Sequence, residues 1–529
     1  MRDLQFPGRS AVHATHAMAA TSHPAATMVA LETLRAGGNA MDAAISAAAV
    51  LAVVEPHSTG IGGDVFALYM LKGQGRVIAL NGSGRAPQAA TAEALRARGL
   101  SEIGFRSPHA VTVPGAVAAW EKLSDDHGRL GLDRLLEPAI RFARDGYPVH
   151  EVVAHVWARE YDKLAADPNA RAVFLAKQRP LTAGEIHRQP ALADTLEAIA
   201  EGGRDAFYTG AIADDMVSYL RSVGGLHTMD DFAAARADYV EPISTDYRGL
   251  TVWECPPNGQ GIIALMMLNI LSGFELGKLD PLGAERLHLE AEATRLAYRD
   301  RLTLLADPDH AEVPVKKLLS AGYAEALRAL ICPDRALRDM PPPGEVAHRD
   351  TVYLTVVDRE RNAVSFINSL FHSYGTGLMS PNTGVMFHNR GSGFSLDPAH
   401  PNCIAPGKRP MHTIIPGMVT KGGRAAMPFG VMGGHYQPVG HVHFLTNLID
   451  FGMSVQEALD CPRIFALGDE LRVERGVPAA AREKLAAMGH AVVESDVPLG
   501  GGQAIAIDWE AGTLTGGSDS RKDGCALGF

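Results

Sequence analysis

Thr351 opens the run Thr351-Val352-Tyr353-Leu354-Thr355-Val356-Val357, in which Val352, Leu354 and Val356 alternate with Thr351, Tyr353 and Thr355. A period of two predicts a β-strand with one apolar face, one partly polar face and a hydroxyl residue at its first position. A Thr in that place is set to become a catalytic N-terminus if the chain cuts itself just before it. The α-amine so released has a reference pKa of about 7.7–8.0, near working pH, whereas a Lys amine is mostly protonated there. A Thr hydroxyl beside its own terminal amine is an activated nucleophile for amide carbonyls.

Asp358-Arg359-Glu360-Arg361-Asn362 reads as a turn and Ala363-Val364-Ser365-Phe366-Ile367-Asn368-Ser369 as a second strand, which makes a hairpin. Folding about the turn sets Thr351 opposite Ser369 or Leu370. Opposed residues have Cβ atoms about 4.5–5.5 Å apart, so the Ser369 hydroxyl reaches Thr351, and a slip of one residue would turn it away. Taken alone, the two also read as an ordinary cross-strand hydroxyl pair.

Around the hairpin, Ala25 to Ala36 and Asn39 to Val54 read as Ala-rich helices parted by Gly37-Gly38, with Asn39 as a cap. Residues 115 to 330 are mostly helical by pattern, with runs at Leu130 to Arg144, Pro190 to Glu201 and Leu282 to Leu305. Pro333 to Arg349, with Pro341-Pro342-Pro343-Gly344, reads as an exposed linker before the nucleophile. No internal repeat is present.

At 529 residues and 46% apolar content the chain can bury a large core, and no run reaches the roughly 18 apolar residues of a membrane span. The first nine residues lack an apolar core, so a cytoplasmic protein is expected. Five widely spaced cysteines argue against a disulfide framework, and the net charge of −11 argues against nucleic acid or an anionic membrane as partner. His441-Val442-His443, read as a strand, would present both rings on one face, but no acid or Cys stands at ligand spacing, so no metal is expected. No cofactor is expected either: Gly60-Ile61-Gly62-Gly63 lacks the Lys-Ser/Thr of a phosphate loop and reads as a tight turn near the core.

Several motifs in order resemble the γ-glutamyltransferase family of N-terminal-nucleophile hydrolases. They are Gly37-Gly38-Asn39-Ala40-Met41-Asp42-Ala43-Ala44, Gly60 to Asp64, Val113-Pro114-Gly115, Pro256-Pro257-Asn258-Gly259-Gln260-Gly261, the Thr351 strand, Tyr374-Gly375-Thr376-Gly377, Gly407-Lys408-Arg409-Pro410, Gly433-Gly434 and Cys461-Pro462-Arg463. The resemblance implies an α+β fold, a four-layer αββα sandwich built from both halves of a self-cleaving precursor. It implies a cut between Asp350 and Thr351, giving a large subunit of residues 1–350 and a small subunit of 351–529 that stay together. The sequence leaves room for a homo-oligomer of such heterodimers. It further implies Thr351 as nucleophile and Ser369 as its partner, with the backbone N–H groups of Gly433-Gly434 receiving the oxyanion, and a small-molecule amide as substrate.

The substrate-binding positions depart from the glutathione-cleaving members. Ser83 stands where those have a carboxylate-binding Arg, with Arg85 displaced by two. Arg390 and Gly393 replace the amine-binding residues, His412 and Thr413 replace a Ser pair, and Phe371 replaces an Asn. A guanidinium suits a carboxylate through paired hydrogen bonds, so the acyl group is expected to carry an anion without an ammonium; Arg390 paired with an internal Asp is the structural alternative. Between Phe394 and Lys408 the chain is shorter than in members with a lid, which predicts an open site. Asn389-Arg390-Gly391 and Pro410-Met411-His412-Thr413 resemble most closely the branch of oxamate amidohydrolases, cephalosporin-acylase-like enzymes and cytoplasmic γ-glutamyltransferase-like proteins. γ-Glutamyl transfer or hydrolysis leads, and small-amide hydrolysis, β-lactam side-chain removal or a non-catalytic binding protein are the alternatives.

Overall fold

The computed structural model describes residues 5, 8–73, 75–337 and 351–529. The hairpin is present: strand Val352–Val357 pairs antiparallel with Ala363–Ser369, with Val352 opposite Asn368, which continues to Thr351 opposite Ser369. Asp358 builds the turn, accepting the Glu360 and Asn362 backbone N–H groups. Its other oxygen accepts the Ala40 N–H at 3.0 Å, so the turn carboxylate also caps the start of a helix.

That helix, Ala40–Val54, is buried at every residue. Asn39 and Asp42 form a capping box at its start. Small Ala side chains let it lie close on the sheet that carries Thr351, where Val352, Leu354 and Val356 join its core. The preceding helix, Pro24–Arg35, ends at Gly37, whose φ of +99° is a conformation that favours glycine.

Two seven-stranded sheets, antiparallel throughout, form the centre. One runs Cys525–Gly528, Met18–Thr21, Val352–Val357, Ala363–Ser369, Asp64–Met70, Ile78–Gly82, Asp238–Val240. The other runs Val12–Ala14, Thr513–Ser518, Gly501–Asp508, Arg424–Met432, Gly417–Lys421, Leu250–Glu254, Ile243–Tyr247. Phe66, Leu68, Tyr353, Ile367, Met418 and Ile505 fill the space between them. Helices cover both outer faces, including Ala40–Val54 on the first sheet and Gly261–Leu271 and Gln437–Ile449 on the second. This is the expected αββα sandwich.

Some expectations are corrected. The strand after Thr351 keeps its partly polar second face, but that face is dry: it packs on the other sheet, all six residues are buried, and Tyr353 and Thr355 satisfy their hydroxyls internally. His441 and His443 lie on the helix Gln437–Ile449, not on a strand, because Pro438 near its start and the apolar residues after it continue a helical face into the core. His441 contacts Glu254 at 2.6 Å and His443 contacts Glu290 at 3.1 Å, so each ring has a separate acidic partner. The helical runs are helices Leu132–Asp145, Pro190–Tyr208 and Ala284–Leu304, but residues 238–254 of the same region form strands that edge both sheets. Of the linker, residues 338–349 lie outside the described residues, as does Asp350. All five cysteines are free, Cys255 and Cys461 buried and the others partly exposed. No helix among the described residues is long and apolar enough to cross a membrane.

Candidate active site

Thr351 and Ser369 are both fully buried, and their hydroxyl oxygens are 3.1 Å apart. Ser369 Oγ accepts the Phe371 backbone N–H at 2.8 Å and the Arg390 Nη2–H at 3.3 Å. These donors occupy the acceptor positions of the hydroxyl, leaving its own proton to donate, with Thr351 Oγ1 in reach. Phe371 holds a φ of +78°, strain that is rare for an aromatic residue and aims its N–H at Ser369.

Arg390 joins the predicted residues into one cluster. Its guanidinium donates to Thr413 Oγ1 at 2.6 Å and stacks over the Phe371 ring, 4.0 Å from the centroid. It sits at the start of a short 3-10 turn, Arg390–Gly393, that packs Gly391 against the Ala110 carbonyl with no room for a side chain. Burial pulls its pKa down to about 9 while Asp64 opposes the fall, so it stays cationic at neutral pH.

Asp64 and His412 lie behind this cation. His412 Nε2 donates to Asp64 Oδ2 at 2.9 Å, and the other carboxylate oxygen accepts the Gly84 and Gly115 N–H groups at 3.0 and 3.2 Å. Burial works against the charge on Asp64, yet the His388 and His412 rings and Arg390 hold its carboxyl at about 2. Burial first, and then Arg390, push His412 down to about 3, so it is a neutral ring. Its Nδ1 faces the Ile414 N–H at 3.4 Å, which agrees with the Nε2–H tautomer. Burial likewise lowers His388, whose ring meets the Thr112 carbonyl at 2.9 Å.

The Gly433-Gly434 turn follows strand Arg424–Met432, with φ values of +127° and +58° that favour glycine. Gly430 of that strand leaves space for the Tyr353 ring, and Ser365 bridges Tyr353 Oη and the Phe429 carbonyl, tying the two strands together two residues from Thr351. Gln260 fixes the turn by donating to both the Gly434 and Thr413 carbonyls, at 2.8 and 2.7 Å, while its oxygen accepts from Arg301 at 2.7 Å. Asn258 donates to Ser83 and Pro410, and its carbonyl accepts the His412 N–H at 2.8 Å. Phe371 also lines a cleft of about 330 Å³, together with Gly393, Met411 and His435.

Thr351, Ser369, Phe371, Arg390, His412 and Thr413 are thus brought together. Arg85 is not in the cluster: its guanidinium donates to the Gly407 carbonyl and to Asp309, and it faces Asp238 and Asp307 at 3.9 Å. Asp64, Asn258 and Gln260 are site residues that the sequence reading quoted only within motifs. The available signal was a charged residue closing the Gly60–Gly63 turn and two amides in the Pro256–Gly261 motif.

The family model described as Gamma-glutamyltranspeptidase matches residues 26–529. The chain belongs to the gamma-glutamyltranspeptidase family. Among gamma-glutamyltranspeptidase relatives, a glutathione hydrolase-like YwrD proenzyme of Bacillus subtilis (strain 168) is 38% identical over 525 residues, 97% of this chain and 99% of the relative. An oxamate amidohydrolase proenzyme of Klebsiella pneumoniae is 37% identical over 530 residues, 97% of this chain and 99% of the relative. The crystal structure of a cephalosporin acylase from Bacillus halodurans superposes with a TM-score of 0.94 at 42% identity, over 100% of this chain and 99% of that one. As a gamma-glutamyltranspeptidase family member the chain is an enzyme of the N-terminal-nucleophile hydrolase type.

Proposed function

We propose that this enzyme is a self-processing acyl-transfer hydrolase of the γ-glutamyl class in which Thr351 is the nucleophile. The Thr351 hydroxyl attacks the Asp350 carbonyl carbon, the acyl group moves from N to O to give an ester, and water hydrolyses the ester. Residues 351–529 then begin with a free α-amine that takes the hydroxyl proton in each turnover. Attack on a substrate amide gives an acyl-enzyme as the amine leaves, and water or a second amine takes the acyl group. Gly433 and Gly434 N–H groups receive the oxyanion, an interaction whose removal costs about two to three powers of ten in rate in other acyl-transfer enzymes. The observation that carries this reading is the 3.1 Å pairing of Thr351 and Ser369 hydroxyls at the head of a buried strand.

Arg390 favours a second reading of the substrate. A buried cation with hydroxyl neighbours, its nearby acid already engaged by His412, suits an acyl group that carries a carboxylate and no ammonium. Oxamate and glutaryl amides fit that description, and the relatives named for oxamate and cephalosporin support it. Arg85, on its acidic surroundings, is the weaker carboxylate partner. The small-molecule amide is the partner proposed, alongside the two subunits of one precursor. Five free cysteines suit a reducing compartment, the cytoplasm.

Turnover of γ-glutamyl-p-nitroanilide, oxamate and a glutaryl-cephalosporin, measured side by side, ranks the substrates, with the acyl adduct mapped by mass to the peptide beginning at Thr351. An adduct on any other residue would remove Thr351 from the mechanism.

A further inference from the structure

A second cluster of chemistry-bearing side chains lies outside the active site and shares no residue with it. His288 and Glu292 stand one turn apart on the buried helix Ala284–Leu304, and His490 meets them from just past the helix Ala479–Ala487. His288 Nδ1 and His490 Nε2 are 2.8 Å apart, and His490 Nε2 is 4.0 Å from Glu292 Oε1. All three ligand atoms lie within 4.8 Å of one another, and all three residues are buried.

From this geometry we propose that His288, Glu292 and His490 form a binding site for a divalent transition metal ion, zinc being the best match to two imidazoles and a carboxylate. Zinc–nitrogen bonds of about 2.0–2.1 Å in a tetrahedron set ligand atoms roughly 3.3 Å apart, between the two separations seen here. The surroundings are those of a metal site. His288 Nε2 donates to the Cys332 carbonyl at 2.7 Å, which fixes the tautomer with the Nδ1 lone pair facing the cluster. Glu292 Oε2 accepts the Leu337 N–H at 2.8 Å, leaving Oε1 toward the histidines. His490 can ligate once its proton resides on Nδ1, with no net proton released. Arg295 also donates to Glu292 Oε1, at 3.1 Å, so the cation binds in competition with that ion pair.

The site has a structural consequence. The outer bonds of His288 and Glu292 both hold residues 332–337, and Ala336 donates to the Met488 carbonyl beside His490. A bound cation would fasten together the core helix, the His490 turn and the segment that leads to the proposed cleavage point. The sequence reading weighed a metal only at His441-Val442-His443; His288 and His490 are 202 residues apart, and only folding joins them.

The full-length protein, stripped with chelator and dialysed, is titrated with zinc chloride against a chromophoric competitor, and its zinc-edge X-ray absorption is recorded. One zinc per chain with two nitrogen ligands in the wild type, and at least tenfold weaker binding in both His490→Gln and Glu292→Gln, is the expected result. A wild type that takes up no stoichiometric zinc, or sulfur-dominated ligation, overturns the proposal whether or not the variants fold. Undiminished binding in folded His490→Gln does the same.

Discussion

His412 donates to Asp64 at 2.9 Å in a space fully closed to solvent, and the pair sits directly behind the cation of Arg390. A lone guanidinium at this depth would be costly, and Asp64 supplies the compensating charge through a neutral imidazole. Asp64→Asn removes that charge while keeping the shape. We expect a loss of about 3 kcal/mol in urea unfolding, typical of breaking a buried ionic group's partner. An Asn variant within about 1 kcal/mol of wild type would contradict the pairing.

Acid should weaken the fold early. His412, His23 and His187 are each lowered to about 3 and His227 to about 4, burial being the largest cause in every case. Between these values and 6.5 the unfolded chain binds more protons than the folded one, so stability falls as pH drops from 6.5 toward 4. Asp64, at about 2, adds a further loss only below about pH 4. Tm measured from pH 7.5 to 4 should decline steadily from near pH 6.5; a flat profile down to pH 4.5 would show that the rings are not held neutral.

Ser369→Ala removes the hydroxyl that faces Thr351 and that accepts the Phe371 N–H. One lost hydrogen bond at the reacting group is worth about 1.5 kcal/mol, or roughly tenfold in rate. The fall should be in kcat and in the rate of precursor cleavage, with KM little changed. A variant that raises KM and spares kcat would move Ser369 from the nucleophile to substrate binding.

Arg390→Gln separates substrate classes. Losing a charge-assisted pair should cost an anionic acyl group about a hundredfold in kcat/KM and a neutral one much less. Equal losses on oxamate and on an uncharged amide would leave Arg390 with only its structural contacts to Thr413 and Phe371.

Local pattern carried much of this site. The alternation after Thr351 and the five-residue turn set the register that pairs it with Ser369, and Asn39 marked the helix that covers its strand. What local pattern does not carry is depth and distance. The buried second face of the strand after Thr351 depends on a sheet whose members lie in both halves of the chain. His441-Val442-His443 has a spacing that suits a strand, but the helix is fixed by the core it packs into. Asp64 meets His412 across 348 residues, and Arg85 turns to three aspartates that are remote from it in sequence. Arg390 was read as either a substrate anchor or the partner of an internal Asp, and the structure puts a buried Asp within its electrostatic reach while leaving its guanidinium on Thr413 and Ser369.

Intact mass of the purified wild type beside Thr351→Ala tests the central claim most directly. The account predicts that the wild type separates into residues 1–350 and 351–529, while the Ala variant stays whole. A wild type that remains a single uncleaved chain, or an Ala variant cut at the same bond, would contradict it.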